Sequence, residues 1–158
     1  MKKKWECITS DEEKIKELKG KYGISEILAS IFVNRGIVED KEIEVFLNPT
    51  RDDFHDPKFL PDIDKAIERV KKAKENKEKV IIYGDYDVDG ITSITVLKKF
   101  LNSLDMNVDY YIPNRLDEGY GLNREAIEQI KDNKYTLMIT VDCGISGIEE
   151  IDYANSLG

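Results

Sequence analysis

Val80-Ile81-Ile82-Tyr83-Gly84-Asp85-Tyr86-Asp87-Val88-Asp89-Gly90 passes from a short apolar run into a loop with aspartates at alternate positions. The helical pattern of Ile91 to Leu104 follows, with Ile94, Leu97, Phe100 and Leu101 on one face. An apolar run without polar alternation reads as a strand covered on both sides. Downstream the pattern repeats. Val108–Ile112 reads as a second strand, Arg124–Ile130 as a helix, Leu137–Val141 as a third strand and Ile145–Ala154 as a helix. Strands alternating with helices imply βαβ crossovers, so the expected class is α/β, a parallel sheet with flanking helices. Ligands of such sheets sit at the carboxyl ends of the strands, which directs attention to the loops 84–90, 113–123 and 142–145.

Upstream the organisation is different. Ser10 and Glu13 stand three apart as in a capping box and predict a helix over about 11–19 that stops between Gly20 and Gly23. Ser25 is expected to cap a second helix through Ile27, Leu28, Ile31 and Phe32, and Asp40 a third with Ile43, Phe46 and Leu47, ended by Asn48-Pro49. Residues 1–49 thus read as a small helical lead-in. It is electrically balanced and has no basic recognition helix, so packing explains it better than DNA reading by a helix-turn-helix. A linker over Thr50–Pro61 contains His55, the only histidine, with no partner at ligand spacing. A helix through Ile63, Ala66, Ile67 and Val70 then runs into the lysine-rich turn Lys71–Lys79, so that 50–79 forms a linker and helix before the α/β part over 80–158.

Composition excludes several classes. At 158 residues and 18.2 kDa, with 41% hydrophobic and 35% charged residues, the chain can bury a core without staples. No apolar stretch approaches the roughly 18 residues that suggest a membrane span. The basic start Met1–Lys4 is followed by Ser10-Asp11-Glu12-Glu13 and no apolar segment, so a signal peptide is not expected and the protein reads as cytoplasmic. Cys7 and Cys143 are too few for a disulfide framework and are expected to be free thiols. The formal net charge of −8 falls entirely in 80–158, which holds 6 basic and 14 acidic residues against 18 and 18 in 1–79. Such a charge argues against indiscriminate nucleic-acid binding through a basic surface, but not against carboxylates that reach phosphate through metal ions.

The aspartates carry the chemistry. Two carboxylates about 4 Å apart repel by roughly 4 kcal/mol at an effective dielectric of 20, so Asp85, Asp87 and Asp89 need a counter-cation or a raised pKa. Oxygen donors favour hard ions such as Mg²⁺, Mn²⁺ or Ca²⁺. An EF-hand is excluded because the twelfth position from Asp85 is Val96 and the loop follows a strand. A haloacid-dehalogenase loop fits poorly because Ile91 stands between Gly90 and Thr92. Asp142 leaves the third strand just before Cys143-Gly144 and either joins this cluster or caps the next helix. Cys143 has no histidine to activate it and reads as a buried thiol. In the middle loop Arg115 suits phosphate, Tyr120 offers a face for a base, and Gly119 and Gly121 allow close backbone approach. A surface ion pair, a core aromatic and turn glycines are the alternatives.

These residues resemble the DHH phosphoesterase superfamily, and within it the single-stranded-DNA exonucleases. The likeness rests on Ile82–Ser93, on Ile112-Pro113-Asn114-Arg115 with Glu118-Gly119-Tyr120-Gly121-Leu122, on Val141-Asp142-Cys143-Gly144-Ile145, and on the lead-in His55-Asp56-Pro57 to Asp62–Ala66. The resemblance implies a hydrolase with two Mn²⁺ or Mg²⁺ ions that degrades single-stranded DNA from the 5′ end to mononucleotides in repair and recombination. It makes Asp87 and Asp89 ligands, Asp142 a shared ligand and Asp85 a ligand or an orienter. Arg115, Gly119, Tyr120 and Gly121 would hold the DNA, and a single-strand-binding protein and a helicase are the implied partners. Enzymes of short oligonucleotides, cyclic dinucleotides or polyphosphate, and a non-catalytic replication scaffold, are the neighbouring possibilities. The Asp-His-His motif itself is absent, so the chain reads as the first part of a DHH domain, an N-terminal fragment with weak metal binding and little nuclease activity alone.

Overall fold

The computed structural model describes residues 11–158, so Ser10 and Cys7 lie outside the described residues. The chain forms two compact units, divided between Phe59 and Leu60.

In the first unit, α1 (Glu12–Tyr22), α2 (Glu26–Asn34) and α3 (Asp40–Leu47) enclose Ile15, Leu18, Ala29, Phe32 and Ile43. Phe46 meets Phe32 edge-on, with centroids 5.1 Å apart. The cap of α1 is Asp11, whose carboxylate accepts the N–H groups of Glu13 and Lys14, and the helix passes through Gly20 to end at Gly23 in the left-handed region. Ser25 caps α2 as expected, accepting from Leu28 at 3.2 Å. The third cap differs from expectation. Glu39 holds the capping position without a side-chain bond, and Asp40 is already helical. Its carboxylate is drawn away by Lys21 and by the hydroxyl of Tyr22 at 2.7 Å. The stretch expected as a linker contains two 3-10 turns, Arg51–Asp53 and Pro57–Phe59, and His55 is exposed.

The second unit begins with α4 (Ile63–Glu75) and continues through β1 (Lys79–Gly84), α5 (Val88–Ser103), β2 (Asn107–Tyr111), α6 (Arg124–Asp132), β3 (Leu137–Val141) and α7 (Ile148–Leu157). The sheet is parallel in the order β2-β1-β3, with Tyr83 opposite Tyr111 and Gly84 opposite Val141. From β1 the chain steps first to one side and then to the other. With one hand of crossover, that puts the two connecting helices on opposite faces. Accordingly Val80 and Ile82 pack with Ile94 and Leu101 of α5, while Ile81 and Tyr83 pack with Ala126 and Ile130 of α6. The unbroken apolar run of β1 follows from this double burial.

Two helix starts depart from expectation, and both departures shape the carboxyl edge of the sheet. Helix α5 starts at Val88 and not Ile91, because Asp87 accepts the N–H groups of Asp89 and Gly90 and so caps it three residues early. Helix α7 starts at Ile148 and not Ile145, because Asp142 (φ 56°) and Gly144 (φ 67°) turn the chain through left-handed conformations first. Ile145 is left almost fully exposed. Asp142 therefore does not cap α7; Gly147 holds that position. Among the described residues no helix is long and apolar enough to cross a membrane.

Candidate metal centre

Asp85 is placed by close packing. It follows β1 directly, and Gly90, in the first turn of α5, lies against its backbone: a Cβ at residue 90 would stand 2.2 Å from the Asp85 carbonyl oxygen. Gly84 is similarly pressed, its ideal Cβ 2.7 Å from the Ile94 side chain and 2.9 Å from Val141. Glycine at both positions lets α5 start tightly over the end of β1. Asp85 ends up 4% exposed, the one buried acidic or basic residue among those described, and its Oδ1 has no hydrogen-bond partner.

Asp87 stands exposed at the start of α5, and Asp142 exposed at the end of β3. One carboxylate oxygen from each of Asp85, Asp87 and Asp142 lies within 4.8 Å of the others. Asp89, the second residue of α5, is not within that set, although its charge reaches Asp142. Partial burial, then the negative charges of Asp87 and Asp89, a hydrogen bond with Asp87, and the charge of Asp85 all push the Asp142 carboxyl above its ordinary value. No lysine or arginine among the described residues pairs with these aspartates. A buried carboxylate oxygen without a donor, repelled by two neighbours, is costly unless a cation satisfies it. The donors are all oxygens, so the set fits a hard divalent ion.

The other loops meet this centre. The Arg115 guanidinium lies 5.2 Å from the ring centroid of Tyr86, in the acidic loop. The Tyr120 hydroxyl donates to the Asp142 carbonyl at 3.5 Å, and partial burial with the surrounding carboxylates pushes its phenol up. Gly119 (φ 76°) and Gly121 (φ 89°) flank Tyr120 in the left-handed region, which explains why these positions are glycine. A cavity of about 420 Å³ opens beside Tyr120, bounded by Cys143 to Ile148 and by Glu150 and Ile151 of α7. Cys143 is half-buried. Its thiol donates to the Val141 carbonyl at 3.2 Å and is pushed up by burial and by Asp85 and Asp142, so it stays protonated. The three loops expected to converge do converge.

Sequence reasoning gave no role to Glu118, Tyr83, Tyr111 or Asn123. Glu118 accepts hydrogen bonds from the Tyr111 hydroxyl at 2.6 Å, the Asn114 N–H at 2.6 Å and Asn123 Nδ2 at 3.1 Å. Burial pushes its carboxyl up, but these three bonds outweigh that and hold it below the ordinary value. Burial first, then the Glu118 bond, pushes Tyr111 up to about 12. The available signal was Asn123, a preferred capping residue immediately before a predicted helix, which does cap α6.

A parallel α/β unit with an oxygen-donor centre at its carboxyl edge is thus the class defined by fold and site. Residues 79–158 match the DHH family, N-terminal domain, and the chain belongs to that family. It is 40% identical over 157 residues to the single-stranded-DNA-specific exonuclease RecJ of Bacillus subtilis, covering 99% of this chain and 20% of the relative. The Escherichia coli protein of the same name is 32% identical over 136 residues, covering 84% and 22%. A crystal structure of exonuclease RecJ bound to manganese superposes with a TM-score of 0.54 at 33% identity, over 58% of this chain and 24% of that one. The chain spans about a fifth of the length of the curated relatives it matches.

Proposed function

We propose that this chain is the metal-holding first part of a nuclease that degrades single-stranded DNA from the 5′ end to mononucleotides. The observation that carries the proposal is the gathering of Asp85, Asp87 and Asp142 around a buried carboxylate oxygen that lacks a donor. Its setting in a DHH-family chain akin to RecJ supports single-stranded DNA as the substrate. The division into a helical segment over 1–49, a linker and helix over 50–79 and an incomplete DHH-type domain over 80–158 belongs to the same reading.

Bound divalent cations, two Mn²⁺ or Mg²⁺ in the complete site, supply the Lewis-acid charge that phosphodiester hydrolysis requires. Asp87 and Asp89 at the start of α5 and Asp142 at the end of β3 would hold them, and Asp85 would serve as ligand or orienter. A bound cation would offset the repulsion from Asp85, Asp87 and Asp89 that raises the Asp142 carboxyl. Arg115 engages a phosphate of the strand, the left-handed turns at Gly119 and Gly121 bring the backbone close to it, and Tyr120 stacks on a base. Work in DNA repair and recombination in the cytoplasm, beside a single-strand-binding protein and a helicase, completes the reading. The chain alone is expected to bind metal weakly and to show little nuclease activity.

The test is Asp87→Asn in the complete gene product that carries this chain. Mn²⁺-dependent release of nucleotides from a 5′-phosphorylated single strand should fall about a thousandfold, the upper end of the range for losing one group that stabilises transition-state charge. Turnover equal to wild type contradicts the assignment.

A further inference from the structure

The connection over 112–123 has no regular secondary structure, yet it delivers Arg115 and Tyr120 to the acidic centre. Connections of this length keep one conformation only where specific contacts hold them. Here the contacts converge on the partly buried Glu118. Its Oε2 accepts the Asn114 N–H at the head of the loop, and its Oε1 accepts the Tyr111 hydroxyl at the end of β2 and Asn123 Nδ2 at the start of α6. Asn123 Nδ2 also donates to the Tyr83 hydroxyl at 3.2 Å, and that hydroxyl donates to the Gly121 carbonyl at 3.0 Å. Tyr83 and Tyr111 are register partners whose rings stack 5.2 Å apart. One carboxylate therefore ties both ends of the loop to β2 and the start of α6, and through Asn123 and the Tyr83 hydroxyl to β1.

We propose that Glu118 is a positioning residue: its carboxylate holds the 113–122 loop so that Arg115 and Tyr120 stand at the acidic centre in the arrangement that receives single-stranded nucleic acid. The role given to Arg115 and Tyr120 rests on the nuclease reading; the ordering of the loop rests on geometry alone. A carboxylate is required because three donors face it, and an ionised carboxyl offers only acceptors. Glutamine would turn an NH₂ group toward at least one of those donors. Alanine would leave all three without their acceptor.

The experiment compares wild type with Glu118→Gln and Glu118→Ala in the complete gene product. Amide hydrogen exchange over 113–122 should quicken about tenfold in the glutamine variant and more in the alanine variant, while β1 and β3 amides exchange as before. With a 5′-phosphorylated oligothymidylate and Mn²⁺, KM should rise about tenfold with kcat within about threefold of wild type. Added to Arg115→Ala and Tyr120→Ala together, Glu118→Gln should raise KM no further, because it acts through those residues. Unchanged loop exchange overturns the proposal. So does loosening of β1 and β3 together with the loop, or a KM effect that multiplies fully onto the double variant. A wild-type protein that does not digest the oligonucleotide contradicts the nuclease reading instead, and the exchange result then decides the positioning role by itself.

Discussion

Two carboxylates at the carboxyl edge of the same sheet have opposite surroundings. Glu118 is partly buried and meets three donors, which hold it ionised below the ordinary glutamate range. Asp85 is almost wholly buried, its Oδ1 meets no donor, and its nearest charged neighbours are other aspartates. The Glu118 carboxylate is satisfied by the scaffold, whereas the Asp85 carboxylate is left short of a donor beside two further carboxylates. Asp85 lies in a cluster of oxygens close enough together to hold one cation, and Glu118 sits where nothing is missing.

The largest effect is expected at Gly90. A methyl group there would meet the Asp85 carbonyl oxygen at 2.2 Å, so Gly90→Ala should cost about 3 kcal/mol in urea unfolding, at the upper end of overpacking effects. A neutral substitution would mean that α5 does not press on Asp85. Glu118→Ala comes next, at about 2 kcal/mol, because Tyr111, Asn114 and Asn123 lose their acceptor. The removal also sharpens the contrast in pH. The Glu118 carboxyl lies below its ordinary 4.5, so its stabilisation is full above that value and disappears as pH falls through the folded-state value. Tyr111 lies near 12 instead of 10, so its contribution is full below pH 10 and disappears between 10 and 12. In Glu118→Gln the acid loss should flatten, and the Tyr111 phenolate absorbance should appear at lower pH while staying above pH 10, since burial remains. An unmoved phenolate transition would dissociate Tyr111 from Glu118. The smallest effect is expected at the rim of the centre, where Tyr120→Phe removes only a long bond from an exposed hydroxyl and should change stability by less than about 0.5 kcal/mol.

Much of this edge was legible in the sequence, for reasons that explain what was not. The unbroken apolar run Val80–Ile82 can be buried only between two helix layers, and β1 is the central strand. Two of the three aspartates after that strand, Asp85 and Asp87, meet Asp142 after Val141 because β1 and β3 are neighbours. Helix α5 begins three residues before its apolar pattern because Asp87 is both a helix cap and a member of the acidic cluster. Helix α7 begins later than its apolar pattern suggests because Asp142 takes a left-handed conformation that an aspartate adopts only occasionally. Glu118 was illegible for a different reason. Its partners come from β2, α6 and its own loop, and Tyr83 and Tyr111 stand together only through strand register.

Whether Asp85 is left short of a partner because a cation completes it is decided by urea unfolding of wild type and Asp85→Asn with and without Mn²⁺. Without metal, the variant should be about 1 kcal/mol more stable than wild type, because a buried charge repelled by its neighbours has been removed. With Mn²⁺ at ten times the wild-type dissociation constant, wild type should gain about 1.4 kcal/mol and the variant almost nothing. A variant that is less stable without metal, and that gains as much as wild type when Mn²⁺ is added, would contradict the account.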